Sequence, residues 1–203
     1  MRRCAVALIY EGEKRRREPI RDELGRLPPV LVFRHLSELV SEDAVLCVDV
    51  GNNTYSFGRF FESKGHQDVL MSGYLGSIGF AFPAALGAWA AVGTQQKIVS
   101  ISRDGGFGKY LAEFTTAVKY GTNICHVLLN NGQLGKISKE QRAGGWEVWS
   151  TDLVNPDFAA YAGLCGGLGI RVTEPEGIRP ALREASSHDG PALVEILTDP
   201  RQT

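Results

Sequence analysis

The sequence has little of what staples, anchors or polarises a chain. Its four cysteines, Cys4, Cys47, Cys125 and Cys165, are far apart and form no CxxC pair. That spacing excludes a dense disulfide framework and offers no zinc-ligand pattern. Cys47, Cys125 and Cys165 lie in apolar runs and read as buried free thiols of a reducing compartment. The charges nearly cancel, 22 Lys+Arg against 23 Asp+Glu, so the overall balance attracts neither nucleic acid nor an anionic membrane. The longest apolar run, Ile78–Val92, is roughly 15 residues, carries Pro83 and Gly87, and falls short of the ~20 residues needed to span a bilayer. It is expected to be a buried helix. After the basic Met1-Arg2-Arg3, the apolar stretch Ala5–Ile9 is too short for a secretory signal. The cytoplasm is the expected location. Two common phosphate loops are also missing. Gly108-Lys109 is followed by Tyr110 and Gly135-Lys136 by Ile137, and no GxGxxG opens a helix after a strand. This disfavours a P-loop triphosphatase and a Rossmann dehydrogenase.

Glycine, by contrast, is abundant: 24 of 203 residues, about 12% against a usual ~7%. Without a G-X-Y period this excludes collagen and points to tight loops or to backbone lying close to a ligand. A content of 43% hydrophobic and 22% charged residues is that of a globular protein, and the length suits one domain with a short appendage. Residues 1–29 form the appendage. In it Lys14-Arg15-Arg16-Arg17 interleaves with Glu11, Glu13, Glu18, Asp22 and Glu23, as on a solvated helix face, and Pro28-Pro29 closes it. The domain proper is expected over 30–203.

Within that domain, apolar strand-like runs alternate with helical patterns. Ala44–Val50, Lys97–Ser102, Ile124–Leu129, Leu168–Val172 and Ala192–Leu197 read as strands. Val30–Val40, Thr54–Phe61, Gly76–Val92, Phe107–Tyr120, Pro156–Leu164 and Glu176–Ser187 read as helices. The alternation predicts an α/β fold, doubly wound, with a mainly parallel sheet and helices on both faces. Ligands of such sheets bind beyond the carboxyl ends of the strands. The loops there read Gly51-Asn52-Asn53-Thr54, Arg103-Asp104-Gly105-Gly106 and Asn130-Asn131-Gly132-Gln133, rich in amides and glycine with one acid.

Asp104 follows one strand and Asn131 follows the next, 27 positions on. If those strands are parallel neighbours, a carboxylate and an amide emerge at one sheet edge. With a backbone carbonyl nearby they suit a hard cation such as Mg²⁺, which completes its shell with phosphate and water. Gly105-Gly106, just before a helix start, suits an anion. A metal beside an anion suggests a diphosphate bridged by Mg²⁺.

Asp104-Gly105-Gly106, followed at this spacing by Asn130-Asn131, resembles the thiamine diphosphate (ThDP) motif, which begins Gly-Asp-Gly and ends Asn-Asn. Ser72–Phe80 (SGYLGSIGF), Pro83–Ala88 (PAALGA) and Asp189–Glu195 (DGPALVE) are also similar to this family. The resemblance is to the C-terminal, diphosphate-binding domain of the pyruvate oxidase, acetolactate synthase and benzoylformate decarboxylase group, and it covers about Val30 to Pro200. It implies that Asp104 and Asn131 ligate Mg²⁺ through their side chains and Gln133 through its backbone carbonyl. It implies that Gly105 and Gly106 give N–H groups to the diphosphate, with Asn52 and Asn53 as neighbours. The Gly76 carbonyl and the Ile78 N–H would meet the aminopyrimidine, with Ser77 between them. The Ile78 side chain would wedge between the cofactor rings, and Gln133–Trp149 would cover the mouth of the site. The implied chemistry is decarboxylation or carboligation of a 2-oxo acid such as pyruvate.

Two features depart from the family pattern. The glutamate that activates the aminopyrimidine belongs to a pyrimidine-binding domain that these residues do not contain. The resemblance therefore implies a partner domain or subunit, and a homo-oligomer; nucleic acid and membrane are not expected partners. The alternatives are a non-catalytic remnant acting as an interaction module, or one subunit of a split enzyme. Second, Arg103 stands where the motif opens with Gly. A glycine there would serve a close approach or a backbone conformation that other residues dislike. Arg103 would either clash or reach the diphosphate as an added cation.

Overall fold

A computed structural model describes residues 26–199. Cys4 and the basic cluster at 14–17 lie outside them. The described residues form a six-stranded, all-parallel sheet in the order β2-β1-β3-β4-β6-β5. The strands are β1 (Val45–Val48), β2 (Asp68–Met71), β3 (Ile98–Arg103), β4 (Ile124–Asn130), β5 (Leu168–Val172) and β6 (Ala192–Leu197). The helices are α1 (Pro29–Leu39), α2 (Asn52–Phe60), α3 (Ala81–Val92), α4 (Asp104–Phe107), α5 (Glu113–Lys119), α6 (Gly135–Ala143), α7 (Phe158–Leu164) and α8 (Pro175–Ser187).

The central strands β1, β3, β4 and β6 are buried almost throughout, which explains their near-continuous apolar sequence. Alternate residues feed two cores. Leu46, Val48, Val99, Ile101, Val127 and Val194 pack with Phe33, Leu36, Phe57, Ile178 and Leu182 of α1, α2 and α8. Val45, Cys47, Ile98, Ile124, Leu128 and Leu193 pack with Phe82, Phe107, Phe114 and Phe158 of α3, α4, α5 and α7. Two fully buried cores on either face of one sheet are the physical content of the doubly wound class expected from the alternation. Leu27 joins the fold at its margin: its N–H donates to the Leu197 carbonyl, and its own carbonyl accepts from Asp199 N–H.

Several sequence expectations shift. The edge strand β2 was not expected; it is four residues long and mostly exposed, and its apolar run is only Val69-Leu70-Met71. The helix expected over Gly76–Val92 begins only at Ala81, because Gly76 and Gly79 hold positive φ of 64° and 97°. Nor is it wholly buried. Ala81, Phe82, Ala85 and Ala88 face the core, while Gly87, Ala90 and Ala91 are exposed. The helix expected over Phe107–Tyr120 is broken into α4, a 3₁₀ turn at Gly108–Tyr110, and α5. Three glycines in Gly105–Gly108 make a continuous helix costly. Cys47 and Cys125 are buried free thiols, but Cys165 is only half-buried. Burial pushes the two buried thiols up, to about 12 for Cys47 and about 11 for Cys125. Among the described residues no helix is long and apolar enough to cross a membrane.

His126, in the middle of β4, is a core residue. Its ring nitrogens lie 3.0 Å from Ser100 Oγ and 3.1 Å from Ser102 Oγ, and its ring packs against Phe82 and Phe107. Burial pushes its pKa down to about 3, so the folded state holds it neutral. Because the folded pKa lies below the unfolded one, its contribution to stability is present above pH 6.5 and is lost as pH falls towards about 3. From pH 6.5 to about pH 5, wild type should lose roughly 2 kcal/mol more unfolding free energy than His126→Gln. Urea unfolding of both proteins across that range checks this, and parallel pH slopes would refute it.

Candidate functional site

The strand order reverses direction around β1: the chain leaves it for β2 on one side and returns to β3 on the other. The crevice at such a reversal, beyond the carboxyl ends of the strands, is where this class of sheet binds ligands. A cleft lies there. Its walls are the loops after β1 (Asp49–Asn52) and β3 (Arg103–Gly106), the chain after β4 (Gln133–Ile137), and Ile78.

The wall after β1 is held by Asp49, which the sequence reading missed. Its side chain is buried, and one oxygen, Oδ1, accepts from Val50 N at 2.9 Å, Gly79 N at 2.8 Å and Phe80 N at 3.0 Å. Burial pushes its pKa up, opposed by these three N–H groups and by the charge of Lys109. The neighbouring loop must leave room for it: a Cβ on Gly106 would stand 1.9 Å from Asp49 Oδ2. The signal was an acid ending an apolar strand just before Gly51. Asn52 lines the cleft with its Nδ2 unpartnered. Asn53 does not, which corrects its expected place beside the diphosphate. It is fully buried and donates to the Ile101 carbonyl at 2.9 Å, because one step along α2 turns its side chain beneath the sheet edge.

The wall after β3 carries Asp104. Its Oδ2 accepts from Gly132 N at 2.8 Å and from Asn155 Nδ2 at 2.7 Å. Asn155 Nδ2 also donates to Asn130 Oδ1 at 3.0 Å, and Asn130 Nδ2 donates to the buried Glu195 Oε1 at 2.7 Å. The chain of contacts holds the carboxylate so that Oδ1 faces the Asn131 amide at 3.0 Å, and the Gln133 carbonyl oxygen lies 2.9 Å from the same amide atom. Burial pushes Asp104 up, with Asn155, Gly132, Gly105 and Arg103 opposing. The three expected metal ligands are therefore brought to one point. Asn155 was missed, since a lone Asn in a loop 51 positions from Asp104 carries no sequence signal.

The third wall is braced by the loop that returns to it. Leu134 N donates to Thr151 O, Leu153 N donates to Gly132 O, and Gln133 Nε2 donates to Asp152 Oδ1 at 2.9 Å. Gly105 lies against this wall: a Cβ there would meet Leu134 Cδ2 at 2.8 Å. Of the segment expected to cover the site, Gln133–Ile137 line the cleft and continue into α6, while Trp146 and Trp149 are exposed. Gly76 and Ser77 sit in an exposed turn, with Ser77 N donating to Ser72 Oγ at 3.1 Å. Ile78 is 36% exposed in the cleft wall, so a side chain that reads as core in the sequence is available to a ligand.

Arg103 does not raise the objection of a disfavoured backbone conformation that its place in the motif suggested. Its φ of −102° and ψ of 166° are ordinary extended values that any residue adopts, so no glycine-type conformation is required there. Asp49, by contrast, governs the shape of the cleft. Asp49→Ala should free the Gly79 and Phe80 N–H groups and speed amide exchange across residues 76–80, with β4 unaffected. Hydrogen-exchange mass spectrometry reads this directly; unchanged protection of that turn would exclude an anchoring role for the carboxylate.

Comparison with known proteins places this geometry in context. The family described as "Thiamine pyrophosphate enzyme, C-terminal TPP binding domain" matches residues 49–196. The Bacillus subtilis (strain 168) protein named "Putative thiamine pyrophosphate-containing protein YdaP" is 39% identical over 171 residues, covering 84% of this chain and 30% of that protein. The catabolic acetolactate synthase of Raoultella terrigena is 36% identical over 180 residues, covering 86% of this chain and 31% of that enzyme. Among solved structures, the thiamine diphosphate-dependent 4-hydroxybenzoylformate decarboxylase of Rhodococcus jostii RHA1 shares the fold, with a TM-score of 0.80 at 22% identity. The match covers 90% of this chain and 34% of that one. The chain thus spans about a third of the length of the relatives it matches. It belongs to the family of C-terminal, thiamine pyrophosphate-binding domains of thiamine pyrophosphate enzymes.

Proposed function

We propose that this chain supplies the ThDP- and Mg²⁺-binding half of an enzyme that decarboxylates or carboligates a 2-oxo acid. The observation that carries the reading is the convergence of Asp104 Oδ1 and the Gln133 carbonyl on the Asn131 amide, within 3.0 Å, at the sheet edge of a family that binds this cofactor. Oxygen donors of this kind fit a hard divalent cation. Asp104, Asn131 and the Gln133 carbonyl would hold Mg²⁺. Gly105, Gly106 and Asn52 would face the diphosphate. The Gly76 carbonyl and Ile78 N–H would meet the aminopyrimidine, with Ser77 beside them and the Ile78 side chain between the rings.

The cofactor, when bound, supplies the electron sink for cleavage next to a carbonyl. The chain's own residues bind and orient it. Their rigidity matters, because a misplacement of about 1 Å in a reacting group can cost on the order of 100-fold in rate. No acid or base for the aminopyrimidine is assigned here. Glu113, which follows the motif, is occupied locally, its Oε2 accepting from Thr116 Oγ1 at 2.9 Å. We therefore assign activation of the cofactor to a pyrimidine-binding domain or subunit. The exposed apolar side chains beside the cleft support such a partner: Val69 and Leu70 on edge strand β2, then Tyr74 and Leu75 at 99% and 79% exposure. Exposed apolar side chains of this size support an interaction surface on this side of the sheet. Association into oligomers through the same face, in the cytoplasm, belongs to this reading. Arg103 sits in relaxed backbone, so strain at that position does not argue for a remnant without cofactor.

Calorimetric titration with ThDP in excess MgCl₂ tests the reading. Binding should be saturable, and Ile78→Asp should weaken it by about tenfold or more, equivalent to about 1.4 kcal/mol. Ile78 is partly exposed, so this variant should keep the fold. The isolated chain should not turn over pyruvate even when saturated. Heat-free titrations, or wild type and Ile78→Asp binding alike, would remove the cofactor assignment.

A further inference from the structure

Arg103 is the one residue of the motif that the family reading does not absorb. It lines the cleft, yet its side chain is 9% exposed, and both Nε and Nη2 are buried without a hydrogen-bond partner. A buried guanidinium with idle donors is unfavourable unless an anion or an acceptor completes it. One acceptor is at hand, and it belongs to the proposed metal site.

The Asn131 amide can face that site in two ways, related by a half-turn of its terminal group. With the oxygen inward, it takes Gln133 N–H at 3.3 Å and stands against Asp104 Oδ1 and the Gln133 carbonyl oxygen. Three oxygens then point at one another, an arrangement that needs a cation, and the amide nitrogen is left facing Arg103 Nη1, donor against donor. With the nitrogen inward, it donates to Asp104 Oδ1 at 3.0 Å and to the Gln133 carbonyl at 2.9 Å. The oxygen then accepts from Arg103 Nη1 at 2.8 Å. Asp104 Oδ1, the Gln133 carbonyl and Arg103 Nη1 then each have a partner without a metal, while the Gln133 N–H gives up its contact with Asn131. Arg103 and a divalent cation therefore want the same oxygen, and a motif with Gly at this position has no such competitor.

Charge acts in the same direction. Arg103 is next in sequence to Asp104 and adds a permanent positive charge beside the only carboxylate of the proposed ligand set. The same charge, on a residue that lines the cleft, suits a diphosphate.

We propose that Arg103 is a resident counter-cation of this site: it competes with the divalent metal for the side-chain oxygen of Asn131 and itself faces the diphosphate, so that metal binding is weakened and diphosphate binding depends less on metal. The identity of the anion rests on the cofactor reading above; the competition for Asn131 does not.

Two variants and two measurements test this. Arg103→Met removes the charge and donors while keeping bulk, and Arg103→Gly restores the residue that opens the family motif. Mn²⁺ binding, followed by the paramagnetic resonance of the free ion and without any ThDP present, should tighten by about tenfold or more in both variants, or about 1.4 kcal/mol. ThDP titrated in EDTA should still bind wild type, and should bind both variants at least about tenfold more weakly. Equal Mn²⁺ affinity in wild type and variants, or EDTA-resistant ThDP binding that survives loss of Arg103, would overturn the proposal. Failure of ThDP to bind any of the three proteins, with or without Mg²⁺, would instead sink the cofactor reading, and the Mn²⁺ comparison would still decide whether Arg103 opposes the metal.

Discussion

The cleft depends on a single buried carboxylate that, among the described residues, touches no charged side chain within bonding distance. Asp49 closes β1, and one of its oxygens gathers three backbone N–H groups, two of them from the turn that leads into α3. A carboxylate taken out of water demands such donors, and an acceptor serving several N–H groups restricts all of them at once. The turn carrying Gly76, Ser77 and Ile78 is thereby fixed against the end of β1, although its own residues are exposed. The same carboxylate dictates that position 106 carries no side chain, since a Cβ would collide with Asp49 Oδ2. Glycine in the loop after β3 is thus required partly by the protein itself, and not only by closeness to a ligand.

A second polar chain secures the opposite wall. Glu195, buried in β6, holds Asn130 at the end of β4; Asn130 and Asp104 share the amide of Asn155; and Asp104 is left with one oxygen directed at Asn131. Two strands, the start of α4 and one loop are coupled through side chains whose donors and acceptors match. Fully satisfied buried networks rigidify a site, and partly satisfied ones are costly. Buried groups without a partner in this region are Asn52 Nδ2, Asn53 Oδ1, Ser56 Oγ, and Arg103 Nε and Nη2, and of these residues Asn52 and Arg103 line the cleft.

The exposed surface follows the same logic on a larger scale. The two cores on either side of the sheet are closed, yet among the described residues nothing covers the apolar outer face of α3, and Val69 and Leu70 of β2 and Tyr74 and Leu75 beyond it are exposed. The chain spans about a third of its relatives' length.

The sequence by itself determined the parts whose signal is local or periodic. Continuous apolar runs marked β1, β3, β4 and β6, because a strand covered on both faces has no polar side to show. The spacing of Asp104 and Asn131 placed both at one sheet edge, since one helix and one parallel strand return the chain to the same end. Tertiary structure alone decided the rest. Edge strand β2 is too short and exposed to leave a pattern. The roles of Asp49 and Asn155 come from partners 30 and 51 positions away. Asn52 and Asn53 are alike in sequence, and only the rotation of α2 sends one to the cleft and the other beneath it. Arg103 was open to two readings because the backbone angle at its position is set by β3 and its neighbours in the sheet. That angle is an ordinary extended one, and it leaves the charge of Arg103, rather than strain, as what distinguishes this site.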